Sequence, residues 1–165
     1  MDTELIREAT LDDCAVIASI YNEHIKNGGS TMDRELKSPE HIAKWMNDFS
    51  ERELIQCLEM EGEVVGWGII KRYSDREGYK YACETAVYLR SDKLRMGLGT
   101  KIKRSIIEKC RELDYHHLVA KIFTSNKASI EYNRKLGYEV VGNQREIGNI
   151  DGKWLDVTIM QLLLY

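Results

Sequence analysis

Between Tyr81 and Leu113 the sequence runs from an apolar stretch into a basic loop with two glycines, Arg90-Ser91-Asp92-Lys93-Leu94-Arg95-Met96-Gly97-Leu98-Gly99, and then into a helical pattern. That order suits a phosphate group. The first amides of a helix have no partner within it. Glycines let a bulky anion approach them closely, and the positive end of the helix adds attraction. Arg95, Lys101 and Arg104 place further positive charge nearby. The loop is not a P-loop, which needs G-x-x-x-x-G-K-[ST]. It also lacks the third glycine of a dinucleotide fingerprint. By spacing alone, Gly97-x-Gly99 fits a tight turn before a helix equally well. The second chemical feature is Glu84, inside Tyr81-Ala82-Cys83-Glu84-Thr85-Ala86-Val87. An ionised carboxylate in an apolar strand needs a reason to be there: either it faces outward on an alternating strand, or it serves a reaction.

Other residue types exclude more than they suggest. Cys14, Cys57, Cys83 and Cys110 are widely spread, with no CxxC pair and no ligand-spaced histidine. They read as reduced thiols, three of them (Cys14, Cys57, Cys83) among apolar neighbours, and no metal site is expected. His116 and His117 are sequence neighbours and cannot face one way in a strand. The 165 residues carry 43% hydrophobic and 31% charged side chains and a net charge of -3. That is an ordinary globular balance without the positive surplus of a nucleic-acid binder. No stretch is apolar enough to span a bilayer. The start, Met1-Asp2-Thr3-Glu4, lacks the features of a secretory signal, so a cytoplasmic protein is expected.

The elements that must position these residues follow from local patterns. Leu5-Ile6 opens a strand. Thr10, with Asp13 after it, marks a helix start, and Cys14, Ile17, Tyr21 and Ile25 follow at helical spacing up to Gly28-Gly29. Ser38-Pro39-Glu40 marks a second start, with Ile42, Trp45, Met46 and Phe49 as its buried stripe. Strands are predicted over 55–60, 64–71, 81–89, 117–122, 138–147 and 154–164, and helices from the glycine loop to Leu113 and over 126–136. Strands interleave with helices and no linker or repeat divides the chain. One α/β (α+β) domain over residues 1–165 is therefore expected.

The whole pattern resembles the GCN5-related N-acetyltransferases (GNATs), and within them the phosphinothricin acetyltransferase branch. Leu94-Arg95-Met96-Gly97-Leu98-Gly99 resembles the family's pyrophosphate loop, Gln/Arg-x-x-Gly-x-Gly/Ala. Ile6-Arg7-Glu8-Ala9-Thr10, Ile20-Tyr21-Asn22-Glu23, Glu84-Thr85-Ala86-Val87-Tyr88, Asn126-Lys127-Ala128-Ser129-Ile130, Lys135-Leu136-Gly137-Tyr138 and Gly152-Lys153-Trp154-Leu155-Asp156-Val157 are similar to segments of that branch in the same order. The resemblance implies a mixed, splayed sheet of six or seven strands, opened partly by a bulge in the strand before the loop, with about four flanking helices. It implies acetyl-CoA as cosubstrate. Arg95 and the amides of Met96, Gly97, Leu98, Gly99 and Thr100 would hold the pyrophosphate. Val87, Tyr88 and Leu89 would offer backbone groups to the pantetheine arm, with Asn126 and Ser129 near the cofactor. Glu84 would be the base that deprotonates the amine, because such amines are mostly protonated at neutral pH.

Three positions depart from the family pattern. Leu94 stands where the loop's leading Gln/Arg would be. Asn133 stands where many members carry a tyrosine as acid for the leaving thiolate, and Tyr132 is one step away, about 100° around the helix. Arg72 and Arg76 are the candidates for gripping an acceptor carboxylate, or else solvated loop charges. Tyr21 and Trp154 are candidate acceptor-pocket residues, Trp154 alternatively packing between sheet and helix. The expected acceptor is the α-amine of a small amino acid or analogue, phosphinothricin or methionine sulfoximine in type. A polyamine, aminoglycoside or protein N-terminus is the alternative, for which Glu23, Asp33 and Glu35 could form an acidic pocket. A non-catalytic acyl-CoA sensor is a further one. A homodimer through the C-terminal strands is implied by the resemblance.

Overall fold

A computed structural model describes residues 3–165. Met1 and Asp2, part of the acidic start, lie outside the described residues. β1 (Glu4–Glu8) leads through a single 3-10 turn, Leu11–Asp13, into α1 (Cys14–Asn27). Thr10 caps that turn rather than α1 itself, and the Asp13 carboxylate accepts the Thr10 amide at 2.8 Å. Gly28, at φ 72°, ends α1. At the next helix, α2 (Pro39–Asp48), Ser38 Oγ accepts the His41 amide at 3.3 Å and Pro39 fills the first position, where its missing N–H costs nothing. Then follow β2 (Leu54–Met60), β3 (Glu63–Arg72), β4 (Ala82–Leu89), α3 (Leu98–Glu112), β5 (His117–Phe123), α4 (Lys127–Lys135), β6 (Glu139–Ile150) and β7 (Lys153–Leu163).

The strands form one seven-stranded sheet in the order β1-β2-β3-β4-β5-β7-β6. Every pairing is antiparallel except β4 with β5. Two cores sandwich the sheet. Ile17, Ile20, Tyr21 and Ile42 from α1 and α2 pack on Ile55, Cys57, Trp67 and Ile69. On the other face Ile102, Ile106 and Cys110 of α3 pack on Leu58, Ile70, Cys83 and Leu118. Buried on both faces, β3 reads as a nearly unbroken apolar run. Its Gly66 and Gly68 let α3 lie directly on the strand. A Cβ at Gly68 would meet Ile102 Cγ2 at 2.8 Å and Ile106 Cγ1 at 2.9 Å, and one at Gly66 would meet Leu89 Cδ2 at 2.6 Å.

The parallel pair β4–β5 is short. Only Ala82, Cys83 and Glu84 are paired, with His117, Leu118 and Val119, and beyond them the two strands part. The bulge implied for β4 is not there. Gly66–Arg72 pair with Leu89–Cys83 in one unbroken register, and the register breaks lie in the β2–β3 and β6–β7 pairs instead. β4 stays bonded to β3 along its length, so the opening is made by β5 turning away. Tyr138 sits where they separate, 2% exposed, its hydroxyl 2.8 Å from Thr85 Oγ1.

Candidate active site

The glycine loop is built as an anion cradle. Gly97 is the N-cap of α3 at φ 77°, ψ 4°, and no side chain caps the helix, so its first amides face outward unpaired. Arg95 also takes a positive φ, 63°. Leu94 and Met96 are exposed, and a Cβ on Gly97 would point into open space. Among the described residues Arg95 and Arg104 pair with no carboxylate. Lys101, expected to add charge here, instead reaches Glu4 at 2.6 Å. The loop's entry is pinned by α1: Glu23 accepts the Ser91 amide and His24 Nε2 donates to the Leu89 carbonyl, both at 2.7 Å.

From the cradle, β4 leads down into the gap left by β5. Thr85–Leu89, including Val87, Tyr88 and Leu89, have no partner on the β5 side, so their backbone groups there can accept an extended ligand as a sheet edge accepts a strand. Asn126 caps α4 and its Oδ1 accepts the Ser129 amide at 3.2 Å. Asn133 is 1% exposed; its amide group donates to the Ser129 carbonyl at 2.8 Å, and its Oδ1 is buried without a partner. An orphan acceptor at this depth costs free energy unless something donates to it. The partnerless Oδ1 is an acceptor and cannot serve a leaving thiolate, and one of the two N–H donors of the amide is already held by Ser129. Tyr132 is a phenol raised by burial, close enough to Tyr88 to influence its titration, and so stays a proton donor at neutral pH.

Glu84 shares a sheet face with Ala86 and Tyr88. Its carboxylate is 33% exposed and lies 3.5 Å from the Lys121 ammonium of β5. Beside them opens a groove of about 590 Å³ whose walls include Tyr73, Tyr79, Tyr81, His117, Lys121 and Gln161. Its size suits a small molecule. A second depression of about 610 Å³, at Arg145, Glu146 and Asp156, is polar and formed around the β6 irregularity, away from base and cradle. There Asp156 accepts the Glu146 amide at 2.7 Å.

The other candidates fall into place unevenly. Arg72 is occupied: Glu53, itself buried, holds it at 2.6 Å and Asp75 at 2.5 Å. That commitment takes it out of carboxylate binding. Arg76 stays exposed at the start of the turn Glu77–Tyr79, on the groove's rim, without a charge partner among the described residues. Tyr21 is buried; its hydroxyl is bonded to Thr31 (2.7 Å) and to Asp33, and its ring packs edge-on against Tyr88 at 5.0 Å. Trp154 does not pack between sheet and helix, being 61% exposed on the β6–β7 hairpin. Lys121 went unnoticed in the sequence although its signal matches that of Glu84, a charge inside the apolar run Leu118–Phe123. On the other face of β4, Lys103 is 1% exposed with its ammonium 4.8 Å from the Tyr138 ring centre, and burial pushes its pKa down to about 7. Beside it the Cys83 and Cys110 thiols lie 3.7 Å apart.

Residues 6–159 match the family description "Acetyltransferase (GNAT) domain". The chain belongs to the GNAT acetyltransferase family. It is 32% identical over 164 residues to the L-methionine sulfoximine/L-methionine sulfone acetyltransferase of Pseudomonas aeruginosa, covering 96% of this chain and 94% of that one. Phosphinothricin N-acetyltransferases are also among its relatives. An acetyltransferase from Salmonella typhimurium, solved with its cofactor acetyl-CoA, superimposes with TM-score 0.95 at 29% identity over 99% of this chain and 95% of that one. A ribosomal-protein-alanine N-acetyltransferase from Brucella melitensis does so with TM-score 0.93 at 32% identity, over 97% and 99%. This acetyltransferase is thus an enzyme of the phosphinothricin-acetyltransferase-like kind, not a bare acyl-CoA sensor, and acetyl-CoA is the donor that GNAT acetyltransferases use.

Proposed function

We propose that this acetyltransferase transfers acetyl from acetyl-CoA to the α-amine of a small amino acid or analogue, of the methionine sulfoximine or phosphinothricin type. The observation that carries the reading is the groove beside Glu84, whose charged wall is Lys121, with Arg76 on the rim. That charge suits an acceptor with a carboxylate. Two of the three acidic residues that a polyamine would need are spent elsewhere, Glu23 on the Ser91 amide and Asp33 on Tyr21 and Lys37, which leaves Glu35 alone.

Acetyl-CoA supplies an acyl group activated by a thiol leaving group. The chain's residues then divide the work. The first amides of α3, with Arg95 nearby, hold the pyrophosphate, and the open edge Thr85–Leu89 holds the arm. The groove orients the acceptor, which supplies much of the rate by proximity. Glu84 takes the ammonium proton, directly or through one water. Tyr132 gives a proton to sulfur. Free CoA release with purified protein and a panel of amino acids, polyamines and peptides beginning with alanine tests the reading. Turnover of methionine sulfone or a similar amino acid is the expected result; turnover of the alanine peptide alone would replace it with the protein N-terminal reading, which the Brucella structure favours.

The enzyme is further read as a cytoplasmic homodimer without nucleic-acid or membrane partners. Its four cysteines are free and buried, as suits a reducing compartment. β6 is an edge strand, and Val141 (58%), Ile147 (57%) and Trp154 (61%) leave apolar surface exposed on its hairpin, a surface that invites pairing. Light scattering at micromolar concentration should give twice the chain mass; a monomer would refute the dimer.

A further inference from the structure

Lys121 has no counterpart among the groups needed for acetyl transfer, yet among the described residues it is the cation that pairs with Glu84. β5 alternates so that Val119 and Lys121 face the groove while Leu118, Ala120 and Ile122 are buried in the core on the α3 side. The ammonium is 3.5 Å from the Glu84 carboxylate, beyond a good hydrogen bond, and its side chain is 48% exposed. An ammonium carries three donors and no acceptor, so donors remain for a ligand in the groove. Two other cations stand near this strand end: Arg72 is held by Glu53 and Asp75, and Lys71 lies across from Glu84 in the β3–β4 register but does not line the groove.

An α-amino acid carries its ammonium and its carboxylate on one carbon. Whatever grips the carboxylate must therefore stand right beside the group that takes the amine's proton. Glu84 and Lys121 have that adjacency: an anion and a cation side by side, the cation on the groove wall and the anion next to it. A zwitterion laid head-to-tail against them sets ammonium on carboxylate and carboxylate on ammonium. We propose that Lys121 binds the carboxylate of the acceptor and thereby presents its α-amine to Glu84. This rests on the reading that the acceptor is an amino acid. In it Lys121 is the specificity residue separating amino acids from plain amines, with Arg76 as an outer contact.

The test compares L-methionine sulfone with 3-(methylsulfonyl)propylamine, the same amine without the carboxylate, at saturating acetyl-CoA. Lys121→Gln should raise KM for the sulfone roughly 10–100-fold, the value of a charge-assisted contact, with a smaller change in kcat. It should leave kcat/KM for the plain amine within about twofold, so that discrimination collapses, and Lys121→Arg should restore part of it. Unchanged acetyl-CoA affinity and unfolding midpoint certify the fold of each variant. Equal losses on both amines would show that Lys121 only balances Glu84, and would overturn the proposal. So would an effect confined to Arg76→Gln. Wild-type turnover of the sulfone with an unaffected Lys121→Gln variant defeats the lysine assignment alone, whereas a wild type that acetylates only plain amines or peptides defeats the amino-acid reading with it.

Discussion

Glu84→Gln is expected to lower kcat by roughly 10²–10⁴ while leaving the acetyl-CoA dissociation constant within about twofold, the usual span for losing a general base. Glutamine keeps the volume and a hydrogen-bonding end but cannot accept the proton. The carboxylate sits on β4 below the cradle, on the opposite face from α3, so donor binding does not depend on its charge. What activity remains should rise with pH in proportion to the free amine, because the solvent then does what Glu84 did. Steady-state rates with the acceptor found in the panel, alongside calorimetric titration with the donor, measure both quantities. A variant that keeps its rate within a few-fold would return Glu84 to the reading of an outward-facing charge balanced by Lys121.

Lys103→Met is expected to stabilise the protein at neutral pH. Lys103 is buried beside Tyr138 with no carboxylate partner among the described residues, and burial holds its pKa at about 7, below the ordinary lysine value. Replacing a buried charge by an apolar chain of similar volume is worth roughly 1–4 kcal/mol, or roughly 3–12 °C in the unfolding midpoint of a chain this size. Below about pH 7 the lysine is protonated both folded and unfolded, and the wild type bears the whole cost of burying an ammonium. Above that, the folded chain has released the proton while the unfolded chain keeps it until roughly pH 10. The unfolded state therefore binds more protons and wild-type stability rises with pH across that window. The advantage of the methionine variant should shrink by roughly 2–3 kcal/mol between about pH 6 and pH 9. Urea titrations of both proteins at several pH values decide it. Parallel curves would mean that the ammonium is not buried charged.

Local patterns carried most of the fold. Caps at Thr10 and Ser38, the stop at Gly28 and the alternation in β2 and β4 are all written in neighbouring residues. The position of β7 between β5 and β6 is not, because strand order depends on pairings far apart in sequence. The site divides in the same way. Glu84 and the glycine loop announce themselves by residue type. That Arg72 is taken by Glu53 could not be read, since the partner lies 19 positions away on another element. Lys121 acquires meaning only when β5 lies against β4. For Asn133 and Tyr132 the rotation of α4 decides, and that is set by what packs around it: Asn133 turns inward and spends one of its two N–H donors on Ser129.

The two missing side chains of β3 act as a gauge. Ile102 and Ile106 rest against the backbone at Gly66 and Gly68, which sets the depth at which α3, and with it the pyrophosphate cradle, stands over the sheet. Glu84, the proposed base, rides on β4, bonded residue for residue to that same strand. A donor of fixed arm length bridges the two, so the thickness of one absent methyl group fixes where its acyl carbon lands. A misplacement of about 1 Å is enough to cost a hundredfold in rate. On this reading the glycines of β3, which carry no reacting group, calibrate the reach of the enzyme.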